Sequence, residues 1–155
     1  MNNYFKILLI FVIIIPLHSC GYKSVNKEMK YFINELNVNG NNRMGNELKQ
    51  EIIFGSKDNN KNNINVSLNV EKSKQVKDRD SSGTITSYYL LVTAKINIKE
   101  LQTSEKIFKS FIKSGSFGVG STPSATIENE KKTTENLIVS LGEDINNFLN
   151  FYYIK

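Results

Sequence analysis

The chain has 155 residues, 20 Lys and Arg against 15 Asp and Glu, a formal net charge of +5, no Trp, one His and one Cys. His18 and Cys20 both lie within the first twenty residues. Everything beyond them therefore lacks the groups for Ser-His-Asp or Cys-His catalysis, a thiolate redox pair, zinc held by His or Cys, or an internal disulfide. Only carboxylate, Lys or Tyr chemistry would remain, and the expectation is a chain with no catalytic centre, no cofactor and no metal site.

The N-terminus reads as an export signal. Lys6 supplies a positive charge, and residues 7–15, Ile-Leu-Leu-Ile-Phe-Val-Ile-Ile-Ile, carry no polar side chain. Nine residues cover only about half of a hydrocarbon core that needs roughly twenty helical residues, so a signal peptide is favoured over a permanent span. Pro16 closes the run, and Leu17-His18-Ser19-Cys20 has the form of a lipobox, in which an aliphatic and a small residue precede a cysteine that takes a diacylglycerol before cleavage. His18 is larger than the residue usual at its place. Two alternatives stay open: an ordinary thiol just after a secretory cleavage site, or an uncleaved anchor.

On this reading residues 1–19 are removed, residues 20–30 form a lipidated tether, and residues 31–155 form a single domain. The mature chain would keep 136 residues, 19 Lys and Arg against 15 Asp and Glu, and a net charge of +4. Gly21, in place of the aspartate that favours inner-membrane retention, points to the outer membrane, lipid-anchored on its periplasmic side. Three acyl chains, at about 0.8 kcal/mol per buried methylene, anchor stably.

Order is expected from Tyr31. Phe32, Leu36 and Val38 alternate with polar residues, with Asn34 an exception on the same face, and predict a strand ending at Asn39-Gly40-Asn41-Asn42. Met44, Leu48 and Ile52 then repeat every four residues, which predicts an amphipathic helix of about three turns. Ile64, Val66, Leu68 and Val70 alternate without exception with Asn65, Ser67 and Asn69, the pattern of a strand with one buried and one wet face. The charged residues 71–80 read as a connection leading to Ser81-Ser82-Gly83.

The longest strand follows, with Tyr88, Leu90, Val92, Ala94, Ile96 and Ile98 on one face and Tyr89, Leu91 and Thr93 opposite, as if its first half were covered on both sides. Residues 106–117 predict another strand, with Ile107 and Phe111 opposing Phe108 and Ile112, and short connections make the three strands an antiparallel meander. Gly115, Gly118 and Gly120 with neighbouring Ser and Thr read as a loop; the spacing resembles half of a phosphate-binding loop, but Ser121 stands where its lysine belongs. From Pro123 onward Thr134, Leu137, Ile138, Leu141, Ile145, Phe148, Leu149 and Tyr152 fall at helical steps, with Glu128 and Glu130 in the first turns, where the helix dipole would favour them. The expected fold class is α+β: a two-layer sandwich of about four mostly antiparallel strands with two helices packed on one face, in the order β-α-β-β-β-α.

Cys20-Gly21-Tyr22, a short tether, a strand-helix pair, a meander whose central strand begins Tyr88-Tyr89-Leu90-Leu91-Val92, and a long C-terminal helix together resemble the LptE family of lipopolysaccharide-assembly lipoproteins. The resemblance covers nearly the whole mature chain and rests on element order more than on a signature; only Cys20 carries over as a site residue. It implies an outer-membrane lipoprotein that assembles with a large LptD-like β-barrel as a plug, aiding lipopolysaccharide transport to the outer leaflet.

Lipopolysaccharide is polyanionic, and two basic groups could meet its phosphates: Lys72, Lys74, Lys77 and Arg79, and Lys106, Lys109 and Lys113. A solvated charged surface is the weightier reading of both groups. The alternative function is an auxiliary, non-enzymatic lipoprotein subunit of a lipid-transporting ABC system. An enzyme would need paired carboxylates, and Asp78, Asp80, Glu143 and Asp144 read as solvated charges. Nucleic-acid binding, with Tyr88 and Tyr89 stacking, conflicts with export. The closing Phe148, Phe151, Tyr152 and Tyr153 read as a helix end capping the core, with partner docking the lesser alternative.

Overall fold

The computed structural model describes residues 31–40, 42–54 and 62–154. The signal, Cys20 and the tether lie outside the described residues. Six elements follow in order: β1 (Phe32–Gly40), α1 (Asn42–Phe54), β2 (Asn63–Arg79), β3 (Ile85–Glu100), β4 (Lys106–Gly118) and α2 (Pro123–Tyr152). The sheet runs β1-β2-β3-β4; β1 is parallel to β2, and the other two pairings are antiparallel. Both helices cover one face, α1 over β1 and β2 and α2 over β3 and β4, and they pack on each other. This is the expected α+β class, in the expected order. Its parallel pair follows from the chain returning through α1 between β1 and β2, the connection parallel strands need.

The core lies between sheet and helices. Ile64, Val66, Leu68 and Val70 of β2 stand in register with Glu100, Ile98, Ile96 and Ala94 of β3. The apolar members of these rows are essentially inaccessible, as are Leu48 and Ile52 of α1 and Leu141, Ile145 and Leu149 of α2. Each such side chain contributes about 1.5–3 kcal/mol relative to exposure.

Four local expectations are corrected. On β1 the buried residues are Ile33 and Leu36, with Tyr31 before them, and Phe32 is only half-buried. A bulge causes this: Ile33 faces Ile64 and Glu35 faces Asn65, so Asn34 is an extra residue that reverses the alternation, and Asn34 itself points to solvent. Second, residues 71–79 are not a connection. They continue β2 in pairing with β3 as far as Arg79, and the turn is only the tight Asp80–Thr84 segment closed by Asp80 N to Thr84 O (2.9 Å) and Gly83 N to Asp80 O (3.0 Å). Since β1 ends opposite Val70, this half of β2 has β3 as its only strand partner among the described residues and forms with it an arm, whose Lys72 and Lys74 side chains reach α2.

Third, β4 runs to Gly118, so Gly115 and Gly118 are strand residues. A Cβ on Gly115 would sit 3.2 Å from Thr133 Cγ2, so the small residue lets α2 lie close over the strand. Fourth, only one face of β3 is covered, and Tyr89 is 39% exposed on the open face, with Leu91 and Thr93 half-buried beside it.

Candidate functional site

The seven basic residues fall on two strands, β2 and β4, flanking β3. Lys72 and Lys113 occupy one cross-strand row, each facing Val92 from opposite sides. Strand alternation puts both on the helix-covered face, where α2 offers counter-charges. Glu130 accepts from Lys72 Nζ and Lys74 Nζ, each at 2.7 Å, and Asp144 pairs with Lys113 Nζ at 2.8 Å. The hydrogen bonds from Lys72 and then Lys74 hold the Glu130 carboxyl below its ordinary pKa. Glu130 stands two turns inside α2, beyond the reach of the helix dipole, so its partners are the lysines and not the helix N-terminus as expected.

The remaining cations disperse. Lys74 also lies over the Tyr88 ring (5.1 Å) and Lys109 over Phe148 (5.7 Å). Lys77 donates to Ser116 Oγ at 3.4 Å and stands 3.9 Å from Asp78. Arg79 Nη1 donates to Gly83 O at 2.7 Å, at the tip of the arm. Lys106 faces Lys99 across the β3–β4 pair. The structure thus brings Lys72, Lys74 and Lys113 to carboxylates of α2 and Lys109 to its Phe148 ring, and leaves Lys77, Arg79 and Lys106 at separate places.

The four carboxylates weighed as a catalytic pair are also dispersed. Asp80 is engaged by its turn, accepting from Ser82 N and Thr84 N, both at 2.9 Å, and from Ser82 Oγ at 2.6 Å. These hydrogen bonds, the Ser82 hydroxyl foremost, hold its carboxyl below the usual range. Asp144 is tied to Lys113, and Glu143 is exposed on α2. Among the described residues no cluster of three His, Cys, Asp or Glu could hold a metal ion, and no helix is long and apolar enough to cross a membrane.

A cleft of about 300 Å³ opens where the N-terminal half of α2 passes α1. Met44 and Thr134 form its buried floor, and Lys72, Glu130, the Arg43–Glu47 pair (3.1 Å) and the Lys131–Glu135 pair (3.9 Å) form its rim. Sequence reading missed it because its lining joins residues from 43 to 135. The one available signal was Ile127, which extends the apolar stripe of α2 beyond the sheet and is 68% exposed.

No family model matches the chain, and no curated protein matches it. Solved structures do. Rare lipoprotein B from Shewanella oneidensis superposes with a TM-score of 0.56 at 9% identity, over 75% of this chain and 93% of that one. A minor lipoprotein from Acinetobacter baumannii superposes with a TM-score of 0.51 at 14% identity, over 76% and 93%. At such identities the likeness is one of fold: this chain has the α+β architecture of these two lipoproteins.

Proposed function

We propose that this chain is an exported, non-enzymatic lipoprotein, anchored through lipid on Cys20 at the periplasmic side of the outer membrane. There it assembles with a large LptD-like β-barrel as a plug and assembly factor in lipopolysaccharide transport. The observation that carries this reading is the agreement of two independent features: a lipobox ending in Cys20, and a fold shared with proteins that are themselves lipoproteins.

The β1–β2 half of the open sheet face supports the plug, whereas the β3–β4 half carries the exposed Phe108 and Ile112. Asn65, Ser67 and Asn69 of β2 alternate with its buried residues, and Asn65 joins Asn34 (3.2 Å) and Glu35 (3.4 Å) in a wet hydrogen-bonded surface. Such a surface suits the polar lumen of a large barrel. For lipopolysaccharide phosphates, Lys77, Arg79, Lys106 and Lys109 are the better-placed cations. Lys72, Lys74 and Lys113 already meet carboxylates of α2.

The test is a mild-detergent pull-down of the tagged chain from its native envelope, with captured proteins identified by mass spectrometry. Recovery of a large outer-membrane barrel in near-equal amount is expected. Recovery of inner-membrane transporter subunits would favour the auxiliary-subunit alternative, and absence of a stable partner would remove the plug reading. The anchor has its own check: Cys20→Ser should move the chain from the membrane fraction to the soluble fraction.

A further inference from the structure

One end of the domain gathers large apolar side chains that the core does not use. The sheet register places there the first residues of β1 and β2 and the β3–β4 turn, since Phe32 N donates to Asn62 O (2.8 Å) and Leu101 N to Asn63 O (3.0 Å). The C-terminus of α2 arrives at the same end, where the Tyr152 hydroxyl reaches Glu105 at 3.3 Å. The last turn of α1 arrives as well, because Asn146 accepts from the Tyr31 hydroxyl (3.1 Å) and donates to Glu51 O (3.1 Å). On this end Phe151 is 78% exposed, Ile154 65%, Leu101 43% and Ile53 40%.

The same end is where the chain enters the fold. Tyr31, the first described residue, is fully buried with its ring 6.1 Å from that of Tyr153. The ten residues 21–30 between Cys20 and Tyr31 allow a span of at most about 40 Å. The 30-residue α2 is itself about 45 Å long and leads away from this end to the β2–β3 arm. A lipid on Cys20 therefore limits the Tyr31 end to at most about 40 Å from the bilayer, whereas the arm end can lie a whole helix length farther off. Among the described residues of this end, Lys99 and Lys106 are matched by Glu100 and Glu105. A Tyr whose ring packs inward and whose hydroxyl stays wet, as at Tyr152, is the amphipathic side chain of a water–lipid boundary.

We propose that this end is a bilayer-contact surface: in the lipidated chain without a protein partner, Phe151 and Ile154, flanked by Leu101 and Ile53, insert at the headgroup level of the leaflet that holds the Cys20 anchor. It rests on the lipid-anchor part of the proposed function and not on the β-barrel partner. Because the patch is apolar, contact is expected with zwitterionic lipid, which offers no net charge to recruit it.

The chain has no tryptophan, so a single introduced one reports depth without background. Full-length lipidated chain carrying Phe151→Trp is reconstituted into phosphatidylcholine vesicles with brominated acyl chains; Ser81→Trp, at the exposed tip of the arm, is the control. Quenching of about twofold or more at position 151, with none at 81, is expected for a side chain lying ~5–10 Å into the boundary. It should diminish when Ile154→Ser is added. Chain that floats with the vesicles but is unquenched at 151 overturns the contact surface and leaves the anchor intact. Chain that does not float overturns the anchor and the proposal with it. If the Phe151→Trp chain floats unquenched, loss of barrel capture by Phe151→Glu would assign the patch to the protein partner instead. Unchanged circular dichroism of the variants, expected at so exposed a position, excludes misfolding.

Discussion

Glu130 shows how a single residue redirects the meaning of others. Lys72 and Lys74 read in the sequence as half of a cationic cluster, yet both ammonium groups end on one carboxylate carried by α2. Because those bonds lower the Glu130 pKa, the native state holds fewer protons than the unfolded chain in the acid range. Its stabilisation is therefore complete above the ordinary glutamate pKa and is lost as pH falls through the lowered folded value. Glu130→Gln should cost about 1 kcal/mol at neutral pH, the scale of partly exposed pairs, and should flatten the acid limb of a stability-versus-pH curve from chemical denaturation. An unchanged acid limb would show that the pairs carry no net stabilisation. The lysines were legible in the sequence, whereas their partner, more than fifty residues away, was not.

Among the elements, α2 and the β2–β3 arm make opposite demands. The helix is held close to its neighbours by small residues: Gly142 is buried on the face of α2 toward α1, and a Cβ there would lie 2.5 Å from Glu51 Cβ. Glu51 Cβ is fixed by its own backbone, so a larger side chain must push the helices apart. Gly142→Val should cost about 2 kcal/mol in denaturant unfolding, because overpacking outweighs any gain in helix propensity. The arm has no such constraint. Residues 71–79 of β2 are all exposed and, among the described residues, have β3 as their only strand partner, touching α2 through the Lys72 and Lys74 side chains, whereas residues 64–70 lie between two strands with every second side chain buried. Hydrogen exchange should accordingly show weak protection of amides in 71–79 and strong protection in 64–70. Equal protection would mean that the arm unfolds only with the whole sheet. The alternation of Ile64, Val66, Leu68 and Val70 reveals the covered half of β2. The arm carries no apolar pattern because lysines, and not apolar side chains, meet the α2 layer there, which is why it read as a connection.

The whole molecule depends on one apolar layer. No disulfide can form, so the interleaved side chains of β2, β3, α1 and α2 carry the stability that a crosslink would otherwise supply. Leu141, fully buried where α2 crosses the sheet, is at the centre of that layer. Leu141→Ala should cost about 3 kcal/mol, a large fraction of the 5–15 kcal/mol typical of a domain, and should lower the thermal midpoint measured by circular dichroism. A change below 1 kcal/mol would show that the site collapses around the lost methyls. At the same scale, the proposed lipid anchor would give the two ends different surroundings, since the domain begins at Tyr31 and the arm lies at the opposite end of the sheet.

The sequence by itself determined the class and order of the elements. Apolar periods of two and of about 3.6 are local, and they survive in any fold that buries one face. Those periods located β2, the β3–β4 meander and both helices, and Cys20 with the run before it is the basis of the proposed anchor, without reference to the fold. Only the tertiary structure decided what depends on neighbours distant in the chain. The bulge at Asn34 is fixed by register with Ile64 and Asn65, the extent of β2 by its pairing with β3, the pairing of Lys72, Lys74 and Lys113 by where α2 crosses them, and the apolar end by the convergence of Ile53, Leu101, Phe151 and Ile154. Hydrogen bonds, ion pairs and exposure are set by which segments meet in space, and no local spacing records that.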